Sequence, residues 1–230
     1  MNRYAHFLAA TLAALSLVGV AQAGVIWFDD FESPATIGPY DGTNYLSNWV
    51  EKWGHLPAIH VYQPTSADFD LPLASPAGGQ QVLWISQNGN WAARSGGLIE
   101  PDRLYTLSAA VGDFNCDAVP FWRVQLWAGD ADGPTVLLNE IAHNMAGANI
   151  PADRNWALNS VTFNSNGSSY VGQTLWARLY MDVGEYGSDP GQFDNVLLQS
   201  TSAPEPSTGV ILLALMAILL PFARRKTRRQ

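Results

Sequence analysis

Leu175-Trp176-Ala177-Arg178-Leu179-Tyr180-Met181-Asp182 decides the fold class. Leu175, Ala177, Leu179 and Met181 fall on one side of an extended chain, and Trp176, Arg178 and Tyr180 on the other. A period of two belongs to a strand with one buried face, not to a helix. The same alternation marks Leu104-Tyr105-Thr106-Leu107-Ser108 and Arg123-Val124-Gln125-Leu126. Turn residues punctuate these runs at Asn88-Gly89-Asn90, from Gly129 to Pro134 and from Asn164 to Gly167. Between Gly38 and Gly79 the chain is richer in Pro, Gly and Asn, which predicts long loops around one or two strands. No stretch sustains a capped helical period, and no repeat or second domain stands out. The body, residues 24–199, therefore reads as an all-β antiparallel β-sandwich.

The polar side of the opening stretch has two readings. Trp176, Arg178 and Tyr180 form an aromatic-and-arginine face of the kind that stacks sugar rings or aromatic ligands. They equally suit a second packed layer. Nine tryptophans, all in the body, supply large apolar area to either arrangement.

Both ends of the chain carry addresses. Arg3, the apolar stretch Phe7 to Ala21 and the small-residue site Ala21-Gln22-Ala23 read as a secretory signal peptide over residues 1–23, cleaved after Ala23. At the other end, a linker (200–208) holds Pro204-Glu205-Pro206. The apolar run Gly209 to Phe222 follows, then five basic residues within 224–230. A single transmembrane helix over 209–223 is expected. Its 14 apolar residues from Gly209 span about 21 Å as a helix, and arginines snorkelling at one end extend that reach. The basic cluster orients the tail inside and the body outside. This terminus resembles the PEP-CTERM sorting signal of Gram-negative bacteria. The resemblance implies export by the Sec route, anchoring in the inner membrane and processing by an exosortase-type protease. The destination is then the cell surface or the extracellular matrix.

Between residues 24 and 203 the chain has six basic and nineteen acidic residues, a net charge of −13. Nothing there neutralises a phosphate backbone, so nucleic acid is excluded as a partner. Such a surface suits divalent cations. The lone Cys116 precludes an internal disulfide, and the flanking Asp113 and Asp117 disfavour a reactive thiolate.

No Gly-x-Ser-x-Gly elbow, His-Glu-x-x-His helix or phosphate-binding glycine loop is present. His55, His60 and His143 have no spacing that ties them to a serine or a metal, and they read as loop or surface residues. Asp130-Ala131-Asp132-Gly133 reads as a hairpin turn, and so does Asn166-Gly167-Ser168. Phe28-Asp29-Asp30-Phe31-Glu32 begins the body and Phe193-Asp194-Asn195-Val196 closes it. First and last strands of a sandwich often lie side by side. Glu32 and Asp194 then either converge on one hard cation or stand as solvated strand-end acids.

Four blocks recur in order: Val82-Leu83-Trp84-Ile85-Ser86-Gln87-Asn88, Glu100 to Leu107, Trp122 to Asp130 and Phe193 to Val196. Together, from about Phe28 to Leu198, the body resembles an exported jelly-roll family of galactose-binding-like fold, related to carbohydrate-binding modules. The Stig cyclases, calcium-dependent cyanobacterial enzymes that cyclise indole-isonitrile terpenoids, share these blocks. The resemblance implies that Glu32 and Asp194 ligate a structural calcium ion, Ca2+. It also implies that Trp84 and Phe114 line an aromatic pocket with position 192. The cyclases' general acid is an aspartate two residues before Asp194, and here that residue is Gln192. An amide delivers no proton. The expectation is a calcium-stabilised, non-catalytic protein that binds extracellular polysaccharide or builds the matrix. The alternative is a cyclase or isomerase acting on an aromatic small molecule, with Asp182, Glu185 or Asp189 as the acid.

Overall fold

The computed structural model describes residues 23–33, 48–51, 59–73, 75–86, 89–113, 121–182 and 191–203. Among these residues eleven strands appear: β1 Gly24–Asp29, β2 Val50–Glu51, β3 Ile59–Tyr62, β4 Val82–Ile85, β5 Trp91–Leu98, β6 Arg103–Gly112, β7 Trp122–Gly129, β8 Pro134–Ala142, β9 Trp156–Asn164, β10 Thr174–Met181 and β11 Gly191–Ser202. The first sheet runs β3-β4-β11-β6-β9, with β1 also paired to β11. The second runs β2-β5-β10-β7-β8. This is the antiparallel sandwich that the alternation predicts, and Ala23–Thr201 form one compact unit. The expected membrane helix and sorting motif, Pro204, Glu205 and Pro206, lie outside the described residues, as does Ala21. Ala23 is exposed just before β1.

Strand β10 shows why the layers close. Leu175, Ala177, Leu179 and Met181 are fully buried and meet Leu107, Ala109, Val111, Phe193, Val196 and Leu198 across the sandwich. Burying a Leu side chain stabilises by about 1.5–3 kcal/mol, so this inner row is a main source of cohesion. The turns follow their residues. Gly129 to Pro134 closes the β7–β8 hairpin, where the Asp132 amide donates to Asp130 Oδ1 at 2.9 Å. Gly167 at φ +68 lets the chain reverse after β9.

The twelve-residue β11 positions the candidate site. Its first part pairs with β4, Gln192 opposite Trp84, and its later part pairs with β1, Val196 opposite Asp29. The first and last strands do lie side by side.

Candidate ligand and cation site on the first sheet

Partners opposite one another in a ladder share a face. Leu83, Ile85, Ile59, Val61 and Phe193 line the core between the sheets. Their neighbours His60, Tyr62, Val82, Trp84 and Gln192 therefore turn to the outer face of the first sheet. A second apolar cluster forms there from Tyr62, Phe69, Leu73, Ala77, Val82, Ala110 and Trp156, with Trp84 packed against it. The segment that brings Phe69 over the sheet is held by Asp68, whose carboxylate accepts from the Thr65 amide at 2.6 Å and its hydroxyl at 3.0 Å.

On this face His60, Trp84 and Gln192 make one row across three strands, since Trp84 is the register partner of both others. The His60 ring stacks on Trp84 at 5.6 Å and 25°, and Tyr62 meets Trp84 edge-on at 5.2 Å. Gln192 is fully buried, and neither its Nε2 nor its Oε1 makes a hydrogen bond. An unsatisfied buried amide costs about 1–3 kcal/mol.

His60 corrects the sequence reading. It is a buried strand residue, 7% exposed, and not a loop or surface histidine. The signal was present in Ile59-His60-Val61-Tyr62, a β-branched alternation in which the imidazole takes the same side as Tyr62. His143 sits edge-on against Phe121 at 4.3 Å, and burial, then the charge of Arg123, pull its pKa down. His55 and Phe114 lie outside the described residues, as do Glu185 and Asp189. Asp182 accepts from Arg123 at the end of β10, in the second sheet. It is engaged in an ion pair and is not in the Trp84 row.

Two residues along β11 from Gln192, on the same outer side, stands Asp194, also fully buried. Its Oδ2 accepts from the Gly78 amide at 2.9 Å and its Oδ1 from the Asn195 amide at 2.6 Å. Asn195, at φ +45, donates its side chain to the Pro76 carbonyl at 2.8 Å. Burial pushes the Asp194 pKa up to about 7; the two amides oppose this, while the negative charges of Glu32 and Asp30 add to it.

Glu32 reaches the same loop from β1. Asp29 anchors the approach by accepting from Trp49 at 2.9 Å and Arg94 at 2.7 Å. The Phe31 amide donates to Asp29 Oδ1 at 3.1 Å, which holds Phe31 at φ +55 with its ring buried. The turn then sends Glu32 Oε1 to the amides of Gln80 at 2.6 Å and Gln81 at 2.8 Å. Gly79 makes this approach possible. At φ +66, a Cβ on it would lie 2.0 Å from Glu32 Oε1.

Asp30, Glu32 and Asp194 thus approach one another, and among the described residues none of them forms an ion pair. Asp194 is buried, Glu32 half-buried and Asp30 exposed, a set of carboxylate oxygens of the kind that suits a hard metal. Among the described residues no three acidic, histidine or cysteine side chains form a ready metal cluster. A calcium ion here would take Glu32 and Asp194 and complete its shell with backbone carbonyls or water.

The second sheet has a face of its own. Its outer side carries Trp176, Arg178 and Tyr180 from β10, with Trp127, Gln125 and Arg123 opposite in β7 and Trp91 opposite Tyr180 in β5. Trp176 is 4% exposed and donates to the Asp130 carbonyl at 3.1 Å, so it belongs to the packed layer. Arg178 and Tyr180 are half-buried.

A family model described as HpiC1 cyclase matches residues 29–199. The chain belongs to the HpiC1-like cyclase family. Solved structures in the same fold include an apo cyclase from Fischerella sp., 22% identical with a TM-score of 0.62, over 79% of this chain and 98% of that one. A second is the Stig cyclase Fisc from Fischerella sp. TAU, in complex with (3Z)-3-(1-methyl-2-pyrrolidinylidene)-3H-indole. It is 24% identical with a TM-score of 0.60, over 79% of this chain and all of that one. A third, from the same source, holds 4-(1H-indol-3-yl)butan-2-one, with 24% identity and a TM-score of 0.53 over 67% of this chain and 85% of that one. These likenesses show the fold. No curated protein matched the chain.

Proposed function

We propose that this HpiC1-like protein binds an aromatic small molecule on the His60–Trp84–Gln192 row and rearranges it as a cyclase or isomerase. The observation that carries the proposal is the fully buried Gln192 amide with no hydrogen bond, opposite Trp84. An aromatic substrate bearing a polar nitrogen would stack on Trp84 and pair with that amide. Family membership, and the indole compounds held by two of the similar cyclases, support this substrate class.

Gln192 orients the substrate and donates no proton. His60 takes the acid's part, because its imidazole stacks on Trp84 in the same row and is a side chain that carries a transferable proton. It protonates the substrate at the start and recovers a proton when the product forms, so the net change is an isomerisation. Burial around Tyr62, Trp84 and Trp156 keeps water from the cationic species between these events. Calcium, when held by Glu32 and Asp194, neutralises their charge and fixes the β11 end of the row.

The test is incubation of calcium-loaded protein with an alkenyl indole isonitrile, followed by chromatography for a product of unchanged mass. Conversion by wild type that is lost in His60→Asn supports the reading; conversion unaffected by His60→Asn but lost in Glu185→Gln or Asp189→Asn assigns the acid elsewhere. A second reading rests on Gln192 itself. With an amide at this position, the same site serves a non-catalytic binding protein, and tight binding without any conversion would decide for it.

The ends of the chain add a location to either activity. A signal peptide ending at Ala23 and the Pro204-Glu205-Pro206 sorting signal would deliver the body to the cell surface or extracellular polysaccharide through an exosortase-type protease. Mass spectrometry of exported protein starting at Gly24 supports this, and material starting at Met1 refutes it.

A further inference from the structure

We propose that the outer face of the second sheet is a glycan-binding site that takes one acidic sugar, its carboxylate on Arg178 and its ring against the neighbouring tryptophans. This face is on the opposite sheet from the Trp84 row, and the proposal stands independently of it.

The polar groups around Arg178 are already matched. Trp127 Nε1 donates to Gln125 Oε1 at 3.0 Å, and Gln125 Nε2 donates to Glu140 at 2.7 Å. Arg123 bridges Glu140 at 3.1 Å and Asp182. This chain leaves Arg178 out. Its guanidinium lies 4.8 Å from the Trp91 ring, 4.7 Å from Trp127 and 4.8 Å from Tyr180, and no acid among the described residues forms an ion pair with it. Its Nε is buried and makes no hydrogen bond. Burial pulls its pKa down to about 10, a fall that Tyr180 and Glu140 oppose only in part.

A guanidinium wedged between aromatic planes is fixed in orientation, and its fork matches a carboxylate in two parallel hydrogen bonds. Trp91, Trp127 and Tyr180 are partly exposed on three adjacent strands, β5, β7 and β10. They offer a broad shallow surface suited to a sugar chain lying along the sheet. One uncompensated cation takes one anion, and a body of net charge −13 repels a polymer acidic at every unit. The fitting ligand is a mostly neutral glycan with an occasional uronic acid.

The test is calorimetric titration of the full-length protein, in mild detergent, with cellobiouronic acid and with cellobiose, which lacks only the carboxylate. Binding of the acid at least tenfold tighter than cellobiose supports the site, provided that Arg178→Gln abolishes the difference and Arg178→Lys restores only part of it. An unchanged melting profile for Arg178→Gln certifies that the variant folds. If that variant fails to fold, Trp127→Leu replaces it, with a tenfold loss expected. Equal affinity for the two sugars, no binding of either, or preference for indole-3-carboxylate over the uronate overturns the assignment.

Discussion

Gln192 faces Trp84 across the β11–β4 ladder, and its buried amide makes no hydrogen bond. That arrangement lowers stability, because a buried amide without a partner has lost its water. Gln192→Leu should therefore stabilise the unliganded fold by about 1–3 kcal/mol, since the unpaired amide disappears and the volume is kept. Thermal melting checks this, and a destabilised variant would mean that the amide is satisfied.

The cation site makes a prediction with an opposite pair of signs. The folded pKa of Asp194, about 7, lies above the ordinary carboxylate value of 3.8. The folded state holds the proton more tightly, so this group's contribution is complete below the unfolded value and is lost as pH rises towards the folded one. In chelator, stability should fall between about pH 4 and pH 7. Free calcium at a hundred times its Kd should restore about 2.7 kcal/mol near neutral pH and little at pH 4. Asp194→Asn should abolish both the pH slope and the calcium response. A wild-type melting temperature indifferent to chelator at pH 7.5 would remove the metal from the account.

Gly79→Ala tests how Glu32 is held. The new Cβ would stand 2.0 Å from Glu32 Oε1 on a backbone at φ +66, a left-handed conformation costing an L-residue about 1–2 kcal/mol. The variant should lose at least that much stability and require more calcium for the same melting shift. An unchanged calcium midpoint would show that Glu32 is not a ligand.

The core gives a plainer expectation. Leu179 is fully buried between the sheets, so Leu179→Ala should cost about 2–5 kcal/mol in chemical denaturation. A loss under 1 kcal/mol would contradict the two-layer packing.

The architecture was legible because alternate residues of β6, β7 and β10 are apolar and enter the core, among them Leu107, Val124, Leu126, Leu175 and Leu179. The adjacency of first and last strands was readable, and it brings Glu32 and Asp194 to one loop, at Gln80 and Gln81 and at Gly78. The control of that approach by Asp29, Arg94 and Trp49 was not, because those contacts join residues distant in the chain. The alternation Ile59-His60-Val61-Tyr62 marks His60 as a strand residue, but its place beside Trp84 comes only from the β3–β4 register. The face around Arg178 was half readable. Trp176, Arg178 and Tyr180 show themselves by alternation, whereas Trp91 and Trp127 join them only through strand pairing.

The most direct measurement is calorimetric titration of indole into calcium-loaded wild type, Gln192→Leu and His60→Asn. Wild type should bind, Gln192→Leu should bind at least tenfold more weakly despite its greater stability, and His60→Asn should retain binding within a few-fold. Wild-type protein that takes up no indole, or three proteins that bind it equally, would contradict a ligand site on the Trp84 row.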